Sequence, residues 1–194
     1  MLPRKAPSRR NHKVSQPSNP AYTAFMQAID TGDLPGLGPE VRSSARPSAV
    51  LGQAIGALGM SGESAGLAKA AALLWHDHLD ESHTVSQDIG LADGSFLHAI
   101  MHRREPDYPN AKYWFRRVGD HPCFPALASD ATEYLDAAGD EALAKRLAPG
   151  GHWDPFAFVD AVEAAVRYGN PSEIGLLQHV QRIEFETLAQ TILA

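Results

Sequence analysis

Apolar residues recur three and four positions apart along most of this chain, and nowhere do they alternate with polar ones between hairpin turns. That pattern predicts helices and no sheet. Tyr22, Phe25, Met26 and Ile29 mark a first helix over 21–30, ending at Thr31-Gly32. Residues 31–47, with Gly32, Pro35, Gly36, Gly38, Pro39 and Pro47, read as loop. The Ala-rich segment 48–66 is punctuated by five glycines, of which Gly52 and Gly56 have the spacing for close helix packing. It lacks the ending of a phosphate loop and no β-rich run precedes it, so tight packing or turns is its reading.

After Gly66 the chain has no Gly or Pro until beyond Asp88 and is rich in Ala and Leu, which predicts one long central helix over 66–88. Leu67, Ala71, Leu74, Val85 and Ile89 fall on one face, with His76, Asp80, His83 and Gln87 nearly opposite. Asp93-Gly94-Ser95 predicts a turn capped by Asp93 or Ser95, with a helix running to Glu105 before Pro106. Pro109 suits a first helical position, giving a helix over 110–118, and His121-Pro122-Cys123-Phe124-Pro125 is a rigid connector. Helices follow over 125–138, 140–147, 154–168 and 171–192, the last two started by Asp154 and Asn170, each before a proline. The last presents Ile174, Leu177, Val180, Phe185 and Leu188, a stripe for the core or for a dimer, so a homo-oligomer is compatible with it. The expected fold is all-α: a single helical domain over 21–194, a compact bundle around the long central helix.

Composition narrows the setting. With 194 residues, 44% of them hydrophobic, the chain can bury a core without staples, and the single Cys123 forms no intramolecular disulfide, which fits a reducing compartment. No apolar run reaches the length of about 18 residues that suggests a membrane span, and no signal-peptide core is present, so the cytoplasm is the expected location. Residues 1–20 carry Arg4, Lys5, Arg9, Arg10 and Lys13 and no acid, which reads as a disordered basic tail. The remainder holds 12 basic against 23 acidic groups, and a body this acidic makes nucleic acid a poor partner.

The chemistry is concentrated between Trp75 and Arg117, where five of the nine histidines and four arginines stand. His76, Asp80 and His83 have helical i, i+4, i+7 spacing, and His98, His102 and Glu105 repeat it. Helical neighbours three or four apart bring their β-carbons to about 5–6 Å and can share an ion; residues seven apart cannot. A divalent ion is therefore expected to take His98 and His102 with Asp80 and either His76 or His83 from a facing helix. Imidazole and carboxylate without thiolate suit zinc, iron, manganese, nickel or cobalt. His98 and His102 have the spacing of a helical zinc motif without its internal Glu, which leaves Glu105 or Glu81 as candidate bases. Arg103, Arg104, Arg116 and Arg117 offer planar forks for a carboxylate or phosphate, with at least two of them expected to be structural, and Tyr108 and Tyr113 could stack on a planar ligand. Cys123 beside His121 sits between prolines without evident oxyanion donors and reads as a packed, inert thiol.

WHDHLDESHT at Trp75–Thr84 and DGSFLHAIMHRREPDYPNAKYWFRRVG at Asp93–Gly119 together resemble an uncharacterised family of helical proteins of bacteria and fungi. The likeness covers roughly 60–124, with further similarity at Trp153–Asp160 and Gln181–Leu188, where Phe185 stands in place of an expected larger aromatic. It implies a soluble helical domain with a shared polar site.

Two functions compete at this point. One is a small-molecule-binding protein or enzyme with a polar site between helices, performing metal-assisted hydrolysis of an anionic substrate. The other is a non-catalytic structural or interaction module whose His/Arg/Asp network is a buried polar lock.

Overall fold

The computed structural model describes residues 19–194 and is all-helical there. Its α-helices are α1 (Pro20–Ile29), α2 (Ser48–Gly56), α3 (Gly62–Trp75), α4 (Leu79–Ser86), α5 (Ala92–Arg104), α6 (Tyr108–Val118), α7 (Phe124–Ala138), α8 (Glu141–Leu147), α9 (Pro155–Tyr168) and α10 (Pro171–Ile192). A 3-10 turn, Pro149–Gly151, joins α8 to α9. The tail expected over 1–20 lies outside the described residues except for Asn19 and Pro20, which begin α1: the Asn19 side chain accepts from the N–H groups of Ala21 and Tyr22. Asp154 and Asn170 cap α9 and α10 in the same way. Asp93 and Ser95, by contrast, do not cap α5, which starts from Leu91 without a side-chain cap.

The long helix expected over 66–88 is two helices, α3 and α4, separated by His76-Asp77-His78. The break comes from tertiary contacts that propensity cannot anticipate. Asp77 adopts a left-handed backbone conformation (φ 64°), which Asp tolerates better than most residues. Its carboxylate accepts from the Arg42 backbone N–H (2.9 Å), Arg42 Nε (2.8 Å) and Arg104 Nη2 (2.7 Å), while Arg42 also reaches the carbonyl of Trp75. Burial alone would raise the Asp77 pKa, but these donors outweigh it and hold the carboxyl below its ordinary range. Past the elbow α4 folds back on α3, where the buried Ser82 hydroxyl donates to the Ala70 carbonyl.

The helix at the centre is α5. Every residue from Gly94 to Arg104 is buried, and α3, α4 and α6 all pack on it. Its start is pressed so closely against the preceding link that a β-carbon at Gly94 would meet the Ile89 carbonyl oxygen at 2.6 Å. Phe96, Leu97, Ile100 and Met101 join one apolar cluster with Phe25, Leu74, Phe158, Val162, Leu177 and Leu188. Gly52 and Gly56 serve no close packing, since nothing lies within 4 Å of a β-carbon placed on either.

A helix buried all round must satisfy the polar groups it carries inward. Arg103 aims its fork at Glu184 of α10 (Nη1–Oε1 3.0 Å, Nη2–Oε2 2.5 Å), both fully buried, and lies over the Phe158 ring. Arg104 bonds the carbonyls of Leu74 and Gly38 besides Asp77. Two of the four arginines considered as anchors, Arg103 and Arg104, are thus internal fasteners, joining α5 to the C-terminal helix and to the elbow. No helix among the described residues is long and apolar enough to cross a membrane.

Glu184→Ala leaves the Arg103 guanidinium buried and uncompensated, and urea denaturation is expected to show a loss of about 3–5 kcal/mol; a loss under about 1 kcal/mol would contradict the fastening role. A pH dependence follows from His76, whose Nε2–H donates to Ile29 O (2.8 Å) and whose Nδ1 accepts from Arg46 N–H (3.0 Å). Burial, with Arg46 and Arg42 nearby, holds its pKa below the ordinary 6.5. A histidine kept neutral contributes stability that is complete above the unfolded-state value near 6.5 and is lost as the pH falls below it. The stability difference between the metal-free native protein and His76→Asn is therefore expected to shrink on acidification from about pH 7.5 to 5; a constant difference refutes the assignment.

Candidate metal centre

The elbow decides which histidines meet. Because α4 folds back instead of continuing α3, His76 and His83 no longer share a helix, and His83 faces α5. There His98 and His102, one turn apart, complete a cluster in which one ligand nitrogen from each of His83, His98 and His102 lies within 4.8 Å of the others. His98 and His102 are buried and His83 is half-buried, so the cluster reaches the surface on the α4 side. The His83 ring sits edge-on to both partners, with centroids 4.6 Å from His98 and 5.3 Å from His102.

Hydrogen bonding gives the cluster a direction. His98 Nε2 and His102 Nε2 are 2.8 Å apart, and His102 Nδ1 is 3.2 Å from Glu105 Oε2. The carboxylate accepts from Nδ1–H, which leaves the His102 Nε2 lone pair to face its neighbours. Glu105 is therefore placed to fix the tautomer of His102, the part a carboxylate plays behind a ligating histidine. The Asn110 amide nitrogen is 3.1 Å from His102 Nε2 and 3.5 Å from Nδ1. Near-equal distances to both ring nitrogens put the amide against the ring and not along either lone pair.

On the other side Trp114 stacks on His98, with centroids 3.9 Å apart and planes inclined 17°. Burial, then the proximity of His102 and His83, pushes the His98 pKa down to about 3; burial also lowers that of His102, against the pull of Glu105. At neutral pH both rings are neutral and available as ligands. His98 Nδ1 is buried and finds no hydrogen-bond partner among the described residues. Three clustered imidazoles are a fitting donor set for a divalent ion. Tetrahedral bonds of about 2.0–2.1 Å put ligand nitrogens about 3.3 Å apart, so an ion would draw His83 inward and spread the His98–His102 contact by about half an ångström.

The remaining predicted residues lie apart from this cluster. His76 commits both ring nitrogens to backbone groups of the 29–46 segment, and Asp80 is exposed. Glu81 is exposed and faces His78 (3.8 Å), whose Nε2 is 2.7 Å from the Arg46 carbonyl oxygen. Tyr108 is buried. Tyr113 is exposed and edge-on to Trp114. Arg116 and Arg117 are exposed on α6, over Phe156 and Trp114 respectively. Asn110 and Trp114 enter the site unannounced by spacing, since they come from the next helix.

A second polar chain links Asp93 Oδ1 to His121 Nε2 (3.0 Å) and His121 Nδ1 to Cys123 Sγ (3.0 Å), tying the start of α5 to the start of α7. Its order mimics a nucleophilic triad. Cys123 is nevertheless buried and its thiol is pushed up to about 12, by burial first and then by Glu184 and Asp93. A thiol so disfavoured as thiolate is a packing element.

No family model, curated protein or solved structure matches this chain. The site accordingly stands on its own geometry. Cys123 is expected to stay unmodified by a thiol-specific disulfide reagent near pH 8 in the native protein and to react stoichiometrically in urea; rapid native labelling would reverse the structural assignment.

Proposed function

We propose that this protein is a divalent-metal protein in which His83, His98 and His102 ligate the ion, and that it acts on a small anionic substrate by metal-assisted hydrolysis. The observation that carries the proposal is the convergence of three imidazoles, two of them buried, with Glu105 behind His102. Three nitrogen ligands with a further position open is the ligand count of catalytic zinc sites, whereas structural zinc is closed by four protein ligands, usually with cysteine. Cys123 is engaged elsewhere, with His121. The ion would supply a Lewis acid that makes water a nucleophile near neutral pH.

The protein's own groups take complementary parts. Glu105 holds the His102 tautomer, replacing the role of general base suggested by its place in the sequence. Trp114 covers His98 and keeps water from that face. The arginine half of the network, Arg103 and Arg104, is the structural lock; the histidine half is the site.

Elemental analysis of untagged protein is expected to find about one zinc-like ion per chain, absent from the His98→Ala/His102→Ala double variant. Glu105→Gln is expected to weaken zinc binding about 10–100-fold, as for other groups that orient a ligating histidine. Native protein that stays metal-free after reconstitution overturns the proposal, and unchanged affinity in Glu105→Gln removes Glu105 from its assigned role.

A further inference from the structure

Helix α6 packs on α5 and sets a pair of its own residues, one turn apart, against the histidine pair: Trp114 stacks on His98, and Asn110 lies against His102. Trp114 presents its ring. Asn110 brings a half-buried amide, with Nδ2 3.1 Å from His102 Nε2. The start of α6 does not need that amide, because Asp107 caps the helix through the Asn110 backbone N–H (3.3 Å) and leaves the side chain out of the cap. Besides Glu105, which holds Nδ1 of His102, Asn110 is the one side chain outside the three proposed ligands that comes within hydrogen-bonding distance of their ring nitrogens among the described residues.

The orientation of the amide follows from the ring it touches. With the His102 proton held on Nδ1 by Glu105, Nε2 presents a lone pair that repels a carbonyl oxygen and tolerates an N–H, so the nitrogen end faces the ring. Neither of its two N–H groups is aligned with a ring lone pair, and both remain able to donate. Distance then decides what they reach. An ion bonded to His102 Nε2 at about 2.0–2.1 Å lies no more than about 5.2 Å from Asn110 Nδ2, the two separations end to end. An oxygen held on that ion at about 2.0–2.2 Å and accepting an N–H at about 2.7–3.2 Å needs a donor within about 5.4 Å of the ion, and Asn110 meets that limit.

We infer that Asn110 is a catalytic residue of this site, the donor that receives the oxyanion of an acyl substrate held at His83, His98 and His102. This rests on the metal-site reading above and names its substrate class. The water oxygen bonds to the acyl carbon, and the carbonyl electron pair moves onto the carbonyl oxygen, where the Asn110 N–H donates. Collapse breaks the bond to the leaving group, which departs with a proton given up by the water. A single amide donor suits the one oxyanion of acyl transfer. A phosphoryl group spreads its charge over three oxygens and calls for cationic clamps, whereas Arg103 and Arg104 are turned away to Glu184 and Asp77.

The test uses the full chain loaded with cobalt(II), whose visible absorption changes when an exogenous ligand enters its coordination sphere. Acetate carries a second oxygen beside the one on the ion; thiocyanate binds through its terminal nitrogen and has no oxygen to offer. In Asn110→Leu, which keeps the side-chain volume, acetate affinity is expected to fall at least about fivefold while thiocyanate affinity stays within about twofold. Asn110→Ala repeats the comparison without requiring a larger apolar group to fit. If cobalt(II) is taken up but the native spectrum does not respond to acetate, or the two anions keep the same affinity ratio in both variants, the inference is overturned while the metal site stands. If the native protein takes up no cobalt(II), the metal-site reading fails and this inference falls with it.

Discussion

The Asp77 carboxylate is the constraint on which the rest depends. It receives Arg42 from the long loop and Arg104 from the central helix at one point, and in doing so stops α3 at Trp75 and turns α4 back. A buried carboxylate between two guanidiniums is costly to assemble and more costly to leave half-made, so the turn is tightly specified. Its consequence is spatial. His83 comes to face His98 and His102 only because the chain leaves the helical path between residues 75 and 79. The short HDH sequence at the elbow is wholly committed to the turn, with His76 and His78 anchoring the loop and Asp77 holding loop and central helix together.

The central helix shows how one element can serve stability and chemistry without confusing them. Consecutive residues on α5 point in different directions, and His102, Arg103 and Arg104 accordingly meet Glu105, Glu184 and Asp77. The two arginines have their carboxylates within 3.0 Å and belong to the packing. The histidines of α5 meet mainly one another, and burial lowers the pKa of both.

Most of the helices were legible in the sequence because capping and proline signals are local: Asn170 before Pro171 and Asp154 before Pro155 start helices as expected, and α1 and α5 to α10 lie close to their predicted spans. The α3–α4 break was illegible for the opposite reason, since Leu-, Ala- and His-rich segments without Gly or Pro read as continuous and the partner that interrupts this one, Arg42, stands 35 residues away. The same error propagated into the site. His76, Asp80 and His83 form a stripe only on a straight helix, and after the turn just His83 joins the α5 pair. The His98/His102/Glu105 spacing survived intact because it lies within one unbroken helical segment and its C-terminal cap. Which arginines would be internal depended on Glu184, distant by 81 residues, and had no local signal.

In the proposed function, the elbow serves to present three imidazoles to one ion. X-ray absorption at the zinc edge, on untagged protein loaded with one equivalent of zinc, addresses this most directly. Three imidazole nitrogens at about 2.0–2.1 Å, with one further light ligand and no sulfur, are the predicted result. A spectrum fitted by oxygen ligands alone, or one with a sulfur shell near about 2.3 Å that would implicate Cys123, contradicts it.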